Sequence, residues 1–400
     1  MENMWLECIR CHKKFPWNTV IYTCDQCGAL LDVKYRFEEP NPESWRGKPF
    51  SVWRYENFLP KVREKVSLNE GGTSLYKCDR LAEKFGIKNL WIKNEGENPT
   101  GSFKDRGMTV GVSLAKELGS RTVACASTGN TSASLAAYAA KAGLKCVVMM
   151  PSGKIALGKL AQAIMYGAIV LAVEGNFDQA LNLVEQSSKR LGLYILNSLN
   201  PYRLEGQKTI AYEVIEQLGE PPDAIILPVG NAGNISAIHK GITEWKQLGL
   251  IEQTPRLIGI QAEGAAPIAH AYKKKKREVT FIENPETLAT AIRIGKPVNW
   301  EKALRAIYDT NGAAETVTDE QILQAQKLLA RTEGIFVEPA SAASIAGLTK
   351  ILDAGLIDKD ERIVCITTGH GLKDPDTPIR TCEKPIQVKP DPEIIEKVLQ

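Results

Sequence analysis

From about residue 88 onward a strand–turn–helix rhythm runs through the chain, and it constrains the fold more than any other feature. Short apolar runs recur at 89–92, 122–125, 146–150, 168–173, 193–196, 224–227, 257–260 and 362–366. They are of strand length and often β-branched. Several run straight into turns of Gly, Asn, Ser and Thr, then into stretches rich in Ala, Lys and Leu. This repeated unit predicts an α/β protein with open, mostly parallel sheets carrying helices on both faces. Ligands of such sheets sit at the carboxyl ends of the strands, so the loops there should hold the chemistry.

Composition narrows the partners. Lys and Arg number 50 and Asp and Glu 47, a formal net charge of +3. That balance argues against a nucleic-acid coat or a polybasic membrane protein but permits a local anion pocket. The five consecutive basic residues 273–277 read as a solvated face. Residues 1–6 lack the basic flank and apolar stretch of a signal peptide, and no window approaches the roughly 18 apolar residues of a membrane span. The nine cysteines do not resemble a secreted disulfide framework, which points to a reducing, cytoplasmic location.

Four of those cysteines stand apart from the rhythm, as Cys8-x-x-Cys11 and Cys24-x-x-Cys27. Two such knuckles suit a tetrahedral thiolate site with no open position, which describes structural rather than catalytic zinc. His12 reads as a neighbour, not a ligand. Free or disulfide-forming cysteines are the alternative. Residues 36–60, rich in Pro and Trp, show no period and read as an irregular connector.

Four loops end apolar runs. The first contains Pro99-Thr100-Gly101-Ser102-Phe103-Lys104. Pro and Gly forbid a helix before Ser102, which can cap a helix whose first turn holds Lys104. The positive helix end should depress the Lys104 pKa, and a neutral amine is what imine chemistry needs; an ordinary surface lysine is the other reading. The second, Ser127-Thr128-Gly129-Asn130-Thr131-Ser132, opens an Ala-rich helix and offers hydroxyls and N–H groups to a carboxylate or phosphate. The third, Gly230-Asn231-Ala232-Gly233-Asn234, permits close backbone approach to a phosphate, although Gly-rich turns without ligands are common. The fourth runs from Thr367 to Pro375 and includes Thr368 and His370. His370 reads equally as a general acid or base and as a turn residue packed aside.

Taken together, residues 98–108, 128–134, 200–209 and 368–375 resemble the threonine synthases, within the fold type II, tryptophan-synthase-like pyridoxal-phosphate enzymes. The similarity spans nearly the whole chain. It implies a fold of two open, mostly parallel sheets plus a small zinc ribbon. The implied division is a ribbon at 1–35, a large cofactor-binding unit at 36–93 and 196–385, a small unit at 94–195 and an extension at 386–400. It implies Lys104 as the Schiff-base lysine and Gly230, Asn231, Ala232, Gly233 and Asn234 as the cofactor-phosphate cradle. Asn130 would bond the ring oxygen and Thr368 would face the ring nitrogen. Ser127, Thr128, Thr131 and Ser132 would take the substrate carboxylate. Asn197, Ser198, Arg203 and, more weakly, Lys159 are candidates for the substrate phosphate. Residues 286–295 would line the pocket. The implied reaction converts O-phospho-L-homoserine and water to L-threonine and phosphate, in a homodimer without nucleic-acid or membrane partners. Ser74 and Lys296 depart from the family pattern, which expects Pro and Asn there. Rival readings are a cysteate synthase, a serine or threonine dehydratase, and a zinc-ribbon binding protein whose enzyme-like body is inactive.

Overall fold

The computed structural model describes residues 3–152, 157–175, 177–383, 385–388, 390 and 392–399. At the N-terminus, β1 (Met4–Cys8), β2 (Lys14–Pro16) and β3 (Leu31–Tyr35) form an antiparallel sheet in the order β2-β1-β3. Met4, Leu6 and Cys8 point inward and Trp5 and Glu7 outward, the period-two pattern of a half-buried strand.

The remaining strands are β4 (Leu75–Lys77), β5 (Asn89–Asn94), β6 (Thr122–Ala126), β7 (Lys145–Pro151), β8 (Ile169–Val173), β9 (Tyr194–Ile195), β10 (Ala224–Pro228), β11 (Arg256–Ala262), β12 (Ala313–Val317) and β13 (Arg362–Thr367). Every run marked by the rhythm is a strand. They form a six-stranded sheet, β12-β11-β10-β13-β5-β4, and a four-stranded sheet, β8-β7-β6-β9. All neighbours are parallel except the edge strand β4, which runs antiparallel to β5. The chain leaves the larger sheet after β5 and returns to it after β9. Its two crossings, 95–121 and 196–223, carry Lys104 and Arg203.

The connector at 36–60 is less irregular than its composition suggests: it contains a short α-helix, Glu43–Arg46, and a 3-10 helix, Val52–Phe58, and it is not loose. Trp45 and Phe58 are buried with ring centroids 5.2 Å apart, and Phe58 meets Tyr212 at 5.4 Å. Its aromatic residues therefore complete the core beside the larger sheet.

The two crossings pack closely. Helix Lys104–Glu117 lies against helix Tyr202–Gln207. A Cβ on Gly206 would fall 1.6 Å from the Arg106 carbonyl oxygen, and one on Gly107 would fall 2.8 Å from that of Arg203. Only glycine permits this approach. Beneath it lies a fully buried ion cluster. The Arg106 guanidinium reaches Glu95 at 2.6 and 2.7 Å and Glu213 at 2.7 Å through two nitrogens; Lys93 Nζ reaches Glu213 at 2.7 Å. Burial alone would raise the Glu213 carboxyl, but Arg106 and Lys93 hold it down to about 2. Removing one partner would strand buried charge. Glu213→Ala should therefore lower stability by about 3–5 kcal/mol, read as a shift in the urea midpoint. A loss no larger than the ~0–1 kcal/mol of a surface pair would show that the cluster does not hold the crossings together.

Candidate active site

Loops from the carboxyl ends of β5, β6, β10 and β13 converge with the second crossing. Gly101, at φ 82°, turns the chain after β5, and the helix starts at Lys104 with Phe103 flanking it. Ser102 does not cap that helix, contrary to the sequence expectation. Its backbone bridges to Gly369 instead, and its hydroxyl is buried without a partner among the described residues. Lys104 Nζ lies 4.0 Å over the Phe103 ring centroid. Its pKa is pushed down to about 7, first by burial and then by the Arg203 charge, while Glu338 opposes the shift. The neutral amine foreseen from the helix end is thus secured mainly by desolvation and a neighbouring cation.

The β13 loop is stitched to the approach of Lys104. Phe103 N–H donates to the Thr368 carbonyl at 3.1 Å, and His370 N–H to that of Gly101 at 2.9 Å. Thr368 is buried, its Oγ1 2.9 Å from Ser341 Oγ, which also accepts from the Thr368 and Gly369 N–H groups. His370 takes the packed-aside option: its Nδ1 accepts from Leu372 N–H at 3.1 Å and its ring meets Phe336 edge-on.

In the β6 loop, Ser127 Oγ accepts from Gly129 N–H at 3.2 Å and Ser132 Oγ donates to the Gly129 carbonyl at 2.7 Å. Thr128 is exposed and Thr131 half-buried. No side chain caps helix Asn130–Ala142, so its first N–H groups remain for an anion. Asn130 Nδ2 donates to Glu338 at 2.9 and 3.2 Å. Burial raises the Glu338 carboxyl above its usual range, against the lowering by Asn130 and Lys373.

In the β10 loop, Ala232 holds φ 63° ahead of helix Gly233–Gln247. A left-handed non-glycine residue costs about 1–3 kcal/mol and persists where the surroundings fix it. A left-handed residue leading into a helix makes an anion nest of N–H groups. Among the described residues, both ends of the Asn234 amide are buried without partners. A Cβ on Gly230 would lie 3.1 Å from Ile292 Cα, so the segment 286–295 does pack over this loop. An aldehyde bearing a phosphate fits this set: nest, unpartnered amide, neutral lysine and buried hydroxyl pair.

The second crossing divides its candidates. The Asn197 amide is committed at both ends to Ala126, donating to its carbonyl and accepting from its N–H, each at 2.9 Å. It extends β6 and keeps one amide hydrogen free. The Ser198 carbonyl accepts from Asn299 Nδ2 at 3.2 Å, and Asn299 N–H donates to the Asn231 carbonyl at 3.1 Å. Asn299 thereby ties this segment to the β10 loop. Arg203 is buried, its Nε has no partner, and no carboxylate pairs with it among the described residues. Burial pulls its pKa down to about 10. A buried cation in this state calls for an anion. The Lys159 side chain lies outside the described residues. Lys296 pairs with Glu283 at 2.9 Å, away from the groups above.

Sequence reasoning missed Glu338, Ser341 and Asn299. Helix Pro339–Ala346 follows Glu338 with no named strand before it, so the strand–turn–helix rhythm offered no signal there.

Comparison with known proteins places this geometry. Residues 66–369 match the family model described as pyridoxal-phosphate dependent enzyme. The threonine synthase of Methanocaldococcus jannaschii is 58% identical over 99% of this chain and all of its own length. That of Methanosarcina acetivorans is 60% identical over 96% of this chain and 95% of its own. The chain belongs to the pyridoxal-phosphate dependent enzymes and, within them, to the threonine synthases. Among solved structures, diaminopropionate ammonia lyase from Escherichia coli aligns over 85% of this chain and 93% of its own at TM-score 0.66 and 16% identity. Maize serine racemase aligns over 75% and 88% at TM-score 0.65 and 22% identity. These two likenesses speak to the fold alone.

The four N-terminal cysteines also converge. Their sulfur atoms lie within 4.8 Å of one another, with Cys8–Cys27 at 3.4 Å, Cys11–Cys24 at 3.6 Å and Cys11–Cys27 at 3.7 Å. Thiolates ~2.3 Å from a tetrahedral zinc stand about 3.8 Å apart, so this donor set fits that ion. His12 turns toward Glu7, at 3.5 Å. Elemental analysis should find one zinc per chain, and Cys24→Ser with Cys27→Ser should release it; unchanged zinc in that variant would refute the site.

Lys104 also yields a pH prediction. The apoprotein should take up pyridoxal phosphate faster as pH rises through about 7, where the amine loses its proton. Arg203 favours the neutral amine, so Arg203→Ala should move that midpoint upward. A midpoint that stays in place would show that the two groups are not coupled.

Proposed function

We propose that this chain converts O-phospho-L-homoserine and water to L-threonine and phosphate, with pyridoxal phosphate held at Lys104. The observation that carries the reading is Arg203. It is a second buried anion site, separate from the β10 nest and close enough to lower the Lys104 pKa. A substrate bearing its own phosphate needs such a site beside the cofactor's; a hydroxy-amino acid does not. The relatives named threonine synthase, alike over nearly the whole chain, support the same substrate.

Pyridoxal phosphate, when bound, supplies a conjugated ring that takes up the electron pair left at the substrate α-carbon. The N–H groups of residues 230–234 would hold its phosphate, and Asn130, steadied by Glu338, its ring oxygen. Thr368 would offer the ring nitrogen a neutral hydroxyl rather than a carboxylate, favouring elimination and replacement over amino-group transfer. The Ser127–Ser132 turn receives the substrate carboxylate. Lys104 Nζ, whose pKa burial and the Arg203 charge lower to about 7, accepts the α-proton in its uncharged form. Arg203, with its planar fork, holds the substrate phosphate and balances its charge as the C–O bond breaks. Ser198 lies on the same segment. A proton also leaves the β-carbon as the γ C–O bond breaks; a proton then returns to the γ-carbon, water adds at the β-carbon, and the α-carbon regains its proton. We further read the cysteine cluster as structural zinc and the enzyme as a cytoplasmic homodimer; reduced thiols suit that compartment.

Phosphate release from phosphohomoserine, with threonine identified as product, tests the reaction. Phosphoserine or threonine consumed in its place would overturn the substrate assignment. Lys104→Ala should abolish turnover and the visible absorbance of the cofactor while leaving the fold intact. Arg203→Ala should raise KM about 10–100-fold, the worth of a hydrogen bond to a charged group, with cofactor content unchanged.

A further inference from the structure

We infer that the cysteine module braces the substrate-phosphate subsite, and that Tyr22 is the positioning residue through which it does so. This rests on the reading that Arg203 and its segment meet the substrate phosphate.

Between Cys11 and Cys24 the chain loops out and touches β9 at one end and the second crossing at the other. At one end Ile195 N–H donates to Tyr22 Oη at 2.7 Å, and the Tyr22 ring meets Tyr194 edge-on at 6.1 Å. At the other end Tyr202 Oη donates to the Trp17 carbonyl. Asn197, Ser198 and Arg203 lie between or beside these contacts. Nearby, Tyr35 Oη donates to Glu205 at 2.8 Å.

The contact at Ile195 is needed for a simple reason. β9 has two residues and pairs only with β6. Leu196 N–H donates to the Ala124 carbonyl across that pairing, so the N–H of Ile195 faces away from it. Ile195 is 1% exposed. Without the Tyr22 hydroxyl this amide would be buried and unpaired. Asn200 Nδ2 holds the Ile195 carbonyl at 2.8 Å and Asn197 carries the pairing on to Ala126, so the Tyr22 hydroxyl supplies the partner for the Ile195 amide that faces away from β6, and the phosphate candidates follow directly.

The brace has a footing elsewhere. Arg10 grips Glu301 at 2.6 and 2.7 Å, and Lys302 donates to the Leu31 carbonyl at 2.9 Å, both from helix Trp300–Asp309 beside the larger sheet. The sulfurs of Cys11 and Cys24, at the two ends of the loop, stand 3.6 Å apart. A metal there would close the loop at its base, so metal occupancy and subsite geometry are mechanically linked.

Tyr22→Phe keeps the ring and removes the acceptor. In the holoenzyme it should weaken binding of inorganic phosphate and raise KM for phosphohomoserine by about tenfold, as expected for one orphaned buried amide. It should also speed amide exchange across 195–203. Turnover number and cofactor absorbance should stay at wild type. Arg203→Ala, measured alongside, separates the two levels. If it leaves phosphate binding unchanged, the phosphate reading itself fails. If it weakens binding while Tyr22→Phe alters neither phosphate affinity nor exchange at 195–203, the brace is refuted. A Tyr22→Phe enzyme that loses cofactor and turnover along with affinity would also overturn it, by showing general unfolding rather than positioning.

Discussion

Arg106 is the constraint on which the site depends. It sits two residues beyond Lys104, fully buried, gripping Glu95 on one side and Glu213 on the other. Glu95 directly follows the strand that leads into the lysine loop. Glu213 belongs to helix Thr209–Leu218, which follows the Arg203 helix. One guanidinium therefore fixes the entry loop, the lysine helix and the phosphate-side helix relative to one another. An apolar cluster could fill the same volume with more favourable desolvation, but it would not fix direction. The planar fork admits two carboxylates in one arrangement only. The glycines at 107 and 206 complete the device by letting the two helices approach until side chains are excluded.

Most of the strand framework is legible in the sequence because a parallel strand buried on both faces must be apolar along its length. Where that condition fails, so does the reading. β12 places Glu315 half-exposed among small residues, and β4, an antiparallel edge, buries little. The cysteine cluster is legible for a different reason: its ligands come in local pairs whose spacing already bends the chain around one point. Glu338 and Ser341 lacked any such signal. Their roles come from contacts with Asn130 and Thr368, more than 200 and nearly 30 residues away respectively, and no local pattern encodes a partner at that distance. The same limit explains Ser102, whose cap is displaced by pairing with Gly369.

The residues that were legible as candidates prove unequal once packed. Asn197 turns its amide to the backbone of Ala126 and serves the sheet first. Arg203 does the reverse. It gives its backbone to the helix and leaves its guanidinium unspent, though full burial should make that costly. A protein that pairs Arg106 so completely and, among the described residues, gives Arg203 no carboxylate has separated the cation that builds the fold from a cation left open to a ligand.

That separation also links binding to chemistry. Arg203 helps to hold Lys104 neutral. An anion arriving at Arg203 cancels the positive charge that Lys104 feels, so the amine becomes a stronger base while the substrate is in place. With no anion there, part of the Lys104 amine is uncharged near pH 7 and open to covalent attachment; with one bound, the freed amine would be better able to take a proton. A desolvated site makes the exchange count, since the same charges in water would be screened to a small fraction of their effect. On the proposed reading Arg203 would do more than raise affinity: a phosphate bound there would also tune the base that begins the reaction.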